Sequence, residues 1–209
     1  MEYEYDIFVS YKRYGEWTGW VRGEFRRVLD DHLSNALGRP AKIFIDDQIE
    51  AGADWPLELG RKLAISRVLV PLFSKMYFGS GWCLKELYAA RFKETQLGFR
   101  TVDQPAGIIV AARIHDGMKY DLPKHLHECC RIQATDLTDY AITSLKRSSP
   151  RFESFEDKVR EWVQNSMKPA IDRARHAAAL DTWLDDISQQ RFDCPPPANF
   201  DEPDLPSLA

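Results

Sequence analysis

Glu86 is the residue around which chemistry could be built: a carboxylate four positions after an indole, in Trp82-Cys83-Leu84-Lys85-Glu86. On a helix that spacing puts both side chains on one face. Three polar clusters each follow an apolar run: Ser10-Tyr11-Lys12-Arg13, Asp46-Asp47-Gln48, and Ser74 with the loop from Lys75 to Gly81. An aromatic wall, one carboxylate and neighbouring cations suit a small-molecule site. Purely structural roles stand beside each: Asp46 and Asp47 as turn caps, Trp82 as a core anchor, and Glu86 as a first-turn acid facing the helix dipole. His125, His127, Cys129 and Cys130 cluster, but without a standard zinc-ligand spacing, so a helix end with buried thiols is preferred to a metal site. The chain has no GxGxxG fingerprint, no phosphate-binding P-loop and no GxSxG elbow.

The elements that must position these residues alternate. Five β-branched and aromatic runs read as strands: Tyr5 to Ser10, Lys42 to Asp46, Arg67 to Phe73, Gly107 to Ile114 and Arg131 to Leu137. The middle three are continuous apolar runs, as expected of strands covered on both faces. Pro71 is awkward for a central strand, because it lacks the N–H that a ladder needs. Between the strands lie helical stripes: Trp17, Val21, Phe25, Val28, Leu29, Leu33 and Leu37; then Leu84, Leu87 and Tyr88; then Phe155, Val159, Trp162, Val163 and Ala170. Asp54 and Pro56 suit the start of a short helix leading toward Ile65. The alternation predicts an α/β fold, an open parallel sheet with helices on both faces. In such a sheet ligands bind beyond the carboxyl ends of the strands, where the three polar clusters fall.

Composition narrows the partners. The 209 residues are 44% hydrophobic and 29% charged, an ordinary globular balance, with a formal charge of -4. A chain that neutralises many phosphates should be strongly basic, so nucleic acid is not expected as a partner. Residues 193–209 hold five of the twelve prolines, four acids and no base, and the rest of the chain carries 28 charges of each sign. That stretch reads as an acidic, Pro-rich disordered tail following a helical extension over 175–192. The start Met1-Glu2-Tyr3-Glu4 lacks a leader pattern and no run approaches the roughly 20 apolar residues of a membrane span, which predicts a cytoplasmic protein without a membrane partner. Cys83, Cys129, Cys130 and Cys194 follow no disulfide spacing and read as reduced thiols.

Three segments bring a family into view. Tyr5-Asp6-Ile7-Phe8-Val9-Ser10-Tyr11-Lys12-Arg13 resembles the first box of Toll/interleukin-1 receptor (TIR) domains. Phe44-Ile45-Asp46-Asp47, continuing to Glu50-Ala51-Gly52, resembles their second strand and BB loop. Ser74-Lys75-Met76-Tyr77 through Trp82 to Leu87 resembles the segment that holds the catalytic glutamate of enzymatic members. The resemblance covers roughly residues 3–170, so the domain is placed at 1–174. It implies a flavodoxin-like five-stranded sheet of order 2-1-3-4-5.

For activity, the resemblance implies a bacterial-type NAD glycohydrolase or cyclase, cleaving the nicotinamide–ribose bond to give ADP-ribose or a cyclic form in defence or immune-type signalling. NAD is then substrate, and no cofactor or metal is expected. Glu86 would be catalytic, and Ser10, Tyr11, Lys12, Arg13, Phe44, Asp46 and Trp82 would bind substrate. Lys12 stands where many relatives carry arginine, and it offers a point charge rather than a fork. Self-association through a BB loop at about Asp47 to Asp54, with Gly52 permitting its change of shape, would activate the enzyme, in concert with an upstream sensor or a downstream effector protein. The alternative is a non-catalytic TIR–TIR scaffold; a nucleoside deoxyribosyltransferase-like enzyme would share a related sheet.

Overall fold

A computed structural model describes residues 3–45, 55–115, 131–142 and 144–174. Its centre is a five-stranded parallel sheet of order β2-β1-β3-β4-β5, as expected, built from β1 (Tyr5–Ser10), β2 (Ile43–Ile45), β3 (Ser66–Phe73), β4 (Ala112–Arg113) and β5 (Thr135–Asp136). The helices are α1 (Trp17–Trp20), α2 (Arg26–Leu37), α3 (Trp55–Ala64), α4 (Lys75–Phe78), α5 (Gly81–Gln96), α6 (Pro150–Trp162) and α7 (Lys168–Ala174). A π-helical stretch, Val21–Phe25, joins α1 to α2, and another, Val163–Met167, joins α6 to α7. No helix among the described residues is long and apolar enough to cross a membrane.

Strand alternation splits the core in two. Ile7 and Val9 of β1, Ile43 and Ile45 of β2, and Val68, Val70 and Leu72 of β3 face one layer, where α2, α6 and α7 contribute Val28, Leu33, Phe155, Val159 and Ile171. Phe8, Phe44, Leu69 and Phe73 face the other, with Leu59 and Leu63 of α3, Tyr77 and Phe78 of α4, and Leu84 and Leu87 of α5. The first helical stripe is one continuous helix, ended by Gly38, whose φ of 68° is left-handed. The third stripe is fully buried, so α6 and α7 belong to the same core as the sheet.

The expectation that Pro71 is ill-suited to a central strand is corrected: it lies inside β3, between β1 and β4. Leu69 exchanges bonds with the far side of the sheet, Leu69 N–H to the Ile108 carbonyl at 3.0 Å and Val110 N–H to the Leu69 carbonyl at 2.9 Å. Pro71 has the same parity, and the N–H it lacks is the one the Val110 carbonyl would accept. The missing rung explains why pairing there is a single bridge at Leu69–Ile109 and then a two-residue β4, shorter than the predicted Gly107 to Ile114. The strand predicted from Arg131 to Leu137 is likewise reduced to Thr135–Asp136. Asp54, the predicted helix cap, lies outside the described residues.

The start of β1 is locked by charge. Asp6 is buried, and Arg39 grips its two carboxylate oxygens at 2.6 and 2.7 Å while the Lys42 N–H donates at 3.0 Å, tying β1 to the segment entering β2. Burial alone would raise the Asp6 carboxyl, but these hydrogen bonds and the charges of Arg39 and Arg67 outweigh it and hold it below the ordinary carboxylate value. A depressed value means that the contribution is complete above the unfolded carboxyl value of about 3.9 and is lost as pH falls through the lower folded value. Asp6→Asn should cost about 1–3 kcal/mol in urea unfolding at pH 7, discounted because Arg39 is partly exposed, and the difference from the unsubstituted chain should shrink toward pH 3. An equal gap at both pH values would contradict this account.

Candidate functional site

At the carboxyl end of β1, alternation decides which neighbours can act together. Ser10 shares the parity of Phe8 and faces α5, whereas Tyr11 shares that of Val9 and enters the opposite layer. There Tyr11 is buried and its hydroxyl accepts a bond from Arg22 Nε at 3.1 Å. The expected grouping of Ser10 with Tyr11 is therefore divided by the sheet. Lys12 and Arg13 follow on exposed backbone.

Glu86 comes from the helix side. Ser74 caps α4 by accepting from the Tyr77 N–H at 3.1 Å, and Ser80 caps α5 by accepting from the Cys83 N–H. These paired caps hold α4 as a single turn and start α5 at Gly81, so Glu86 falls beyond the first turn, which contains no acid. The reading of Glu86 as a first-turn dipole partner is thereby removed. Its side chain is half-buried, and the Ser10 hydroxyl donates to Oε2. Tyr77, fully buried, places its hydroxyl 3.1 Å from Ser10 Oγ and 3.0 Å from the Cys83 carbonyl. Because the one proton of Ser10 goes to Glu86, the tyrosine proton is left to be shared between Ser10 Oγ and that carbonyl. The result is a chain of hydroxyls from the core to one carboxylate, with mutual polarisation along it.

Trp82 is 38% exposed rather than a core anchor, and Lys85 Nζ stands 4.7 Å from its ring centre. Phe44 is different. It has no exposed surface and packs on Phe8 and Tyr5, with ring centres 5.0 and 5.4 Å away. It is in register with Phe8, so it lies two residues, roughly 7 Å, deeper along the strands than Ser10. As placed, Phe44 is a floor beneath the site and offers no face to a ligand, which corrects its expected role as a binding ring. Asp46, the BB loop from Asp47 to Asp54, and the cluster of His125, His127, Cys129 and Cys130 lie outside the described residues, as does Cys194. Cys83 is buried and in no disulfide, and no group of three or more possible metal ligands occurs among the described residues.

The sequence pattern alone gives Tyr77 no role, and its spacing of three from the helix-capping Ser74 is the available signal. The sequence places Trp17 only on a helical stripe and gives His115 no role. Their rings meet edge-on at 5.0 Å, joining the segment after β1 to the segment after β4 at the same edge of the sheet.

A family model for the TIR domain matches residues 7–147, well over half of the chain, from within β1 through β5 and including Ser10 and Glu86. The chain belongs to the TIR domain family. Among its relatives, disease resistance protein RPV1 of Vitis rotundifolia is 36% identical over 96 residues, 45% of this chain and 6% of that protein. TMV resistance protein N of Nicotiana glutinosa is 35% identical over 100 residues, 44% of this chain and 8% of that protein. The TIR chain thus spans less than a tenth of the length of these plant relatives. Among solved structures, the TIR domains of the activated Roq1 resistosome that recognises the effector XopQ align at 21% identity and a TM-score of 0.38, over 90% of this chain and 100% of that one. The TIR domain of the Toll-related receptor TRR-2 from Hydra magnipapillata aligns at 15% identity and 0.40, over 75% of this chain and 98% of that one.

The buried hydroxyl pair has a measurable cost of removal. Tyr77→Phe should lower the urea midpoint by the equivalent of about 1 kcal/mol with an unchanged slope, since it deletes one internal hydrogen bond and little volume. An unaltered midpoint would show that the hydroxyl does not support Ser10.

Proposed function

We propose that this TIR domain, over residues 1–174, cleaves the bond between nicotinamide and ribose in NAD, releasing nicotinamide with ADP-ribose or its cyclic form. The observation that supports this most is the Glu86 carboxylate, half-buried at the carboxyl edge of the sheet and oriented by Ser10. Ordinary glycoside hydrolysis uses two carboxyl groups, because an alkoxide leaving group must be protonated. Nicotinamide departs as a neutral molecule from a cationic pyridinium, so no acid is required at the leaving group. One preorganised carboxylate beside the sugar can hydrogen-bond the ribose hydroxyls and offset the positive charge that develops at the anomeric carbon. Water as acceptor yields ADP-ribose, and an internal nucleophile yields the ring.

Lys12 and Arg13, exposed after β1, supply charge for the pyrophosphate, and the half-open face of Trp82 supplies an aromatic surface. Assembly of TIR domains, with Asp47 to Asp54 as the contact, is the proposed switch, within immune-type signalling. The plant relatives are named as resistance proteins, which supports immune-type signalling as the setting. Residues 175–209 are proposed as an extension that aids assembly.

Purified protein incubated with NAD under crowding should release nicotinamide, followed chromatographically. Glu86→Gln keeps an oxygen for the Ser10 bond and removes the charge, so turnover should fall by about 10²-fold or more with the fold retained. Assembled protein that stays silent, or Glu86→Gln that remains active, would favour the scaffold. Exchange of bases on free nucleosides would instead indicate deoxyribosyl transfer.

A further inference from the structure

Among the described residues, Tyr77 heads the fully buried side chains by size, and burying its polar end requires a partner. Its ring meets Phe73 and Phe78 edge-on, with centres 5.4 Å away in each case. The Cys83 carbonyl, 3.0 Å from the hydroxyl, would be partner enough. That carbonyl does not depend on the tyrosine, because it lies inside α5, where the helix ladder supplies a donor. Yet the same hydroxyl also stands 3.1 Å from Ser10 Oγ, which in turn donates to Glu86.

The proton count makes these two acceptors unequal. Ser10 has one proton and gives it to Glu86, so its Oγ can only accept from Tyr77. Donation to a charged acceptor leaves Oγ richer in electrons and a better acceptor in its turn. While Glu86 is ionised, the Tyr77 proton is drawn to Ser10. Once Glu86 is neutral, that pull weakens and the Cys83 carbonyl competes.

We propose that Tyr77 is a positioning residue: its hydroxyl donates to Ser10 Oγ, strengthens the bond from Ser10 to Glu86 and favours the ionised carboxylate, then turns to the Cys83 carbonyl when Glu86 takes up a proton. The inference rests on the reading of Glu86 as the carboxylate beside the ribose, and adds to it a buried residue that acts only through Ser10.

Other ionisable groups stand on the segments leading from this edge of the sheet: Lys12, Arg13 and Glu16 after β1, Lys75 on α4, Lys85 on α5 and His115 after β4. Lysine and arginine side chains keep their charge where a carboxyl titrates. Glutamate and histidine side chains can titrate in that range, so Glu16→Gln and His115→Gln serve as controls and should leave the Tyr77 response in place.

The test is a 13C pH titration of the full chain labelled at glutamate Cδ and tyrosine Cζ, with the two signals assigned from Glu86→Gln and Tyr77→Phe. The Tyr77 signal should move with the Glu86 midpoint, and should cease to do so in Ser10→Ala. Tyr77→Phe should raise the Glu86 midpoint by about 0.1–0.7 pH unit, the share that polarisation adds to one charged hydrogen bond. 3-Fluorotyrosine placed at position 77, a stronger donor of nearly the same shape, should lower it. Neither change should move the midpoint in the Ser10→Ala background. The titration contains no NAD, so its failure is distinct from a failure to release nicotinamide. Where release is observed, Tyr77→Phe should lower kcat severalfold with KM unchanged. A Tyr77 signal indifferent to Glu86, a midpoint moved the same way by phenylalanine and by 3-fluorotyrosine, or a shift that survives Ser10→Ala would each overturn the proposal.

Discussion

The hydrogen bond from Ser10 to Glu86 joins the end of β1 to the second turn of α5, and the site exists only where those two elements meet. A glutamate has three side-chain torsions and a long reach, so without a partner it samples many positions. A serine on a buried strand has almost none of that freedom. Tying the mobile group to the immobile one transfers the rigidity of the sheet to the carboxylate, and Tyr77 extends the tie into the core. Preorganisation of this kind is the largest lever that a single acid has on a reaction whose transition state gains charge.

Strand β1 is anchored at both ends. Its start is fixed by the buried Asp6–Arg39 pair and its finish by the Ser10 bond, with the fully buried Ile7, Phe8 and Val9 between. A one-residue slip of β1 against β3 would turn Ser10 away from α5. The far side of the sheet is built differently. Pro71 interrupts the ladder to β4, and Glu94 takes over the two N–H groups at Ile108 and Ile109. A charged side chain there does what a regular strand would otherwise do.

The sequence made much of this legible. The alternation of strands and helical stripes predicted the α/β class, and the helical stripes at Val21 to Leu33 and at Phe155 to Ala170 are buried as their periodicity required. The strand order came from the family resemblance, since periodicity cannot choose among parallel topologies. Glu86 was visible from its spacing to Trp82. What escaped was whatever depends on a facing element: that Ser10 and Tyr11 separate across the sheet, that Phe44 sinks into the core, and that Glu94 replaces a strand. Parity along β1 could have foretold the first of these. The others need the neighbouring layer, which no local pattern encodes.

In the proposed nicotinamide release, Ser10 acts through Glu86. A double-mutant cycle on nicotinamide release from assembled protein measures that coupling, using Ser10→Ala, Glu86→Gln and the pair. The account predicts that Ser10→Ala slows the reaction when Glu86 is present and adds no further loss when Gln stands at position 86. Equal losses in both backgrounds would show that the serine and the carboxylate act independently, and would contradict it.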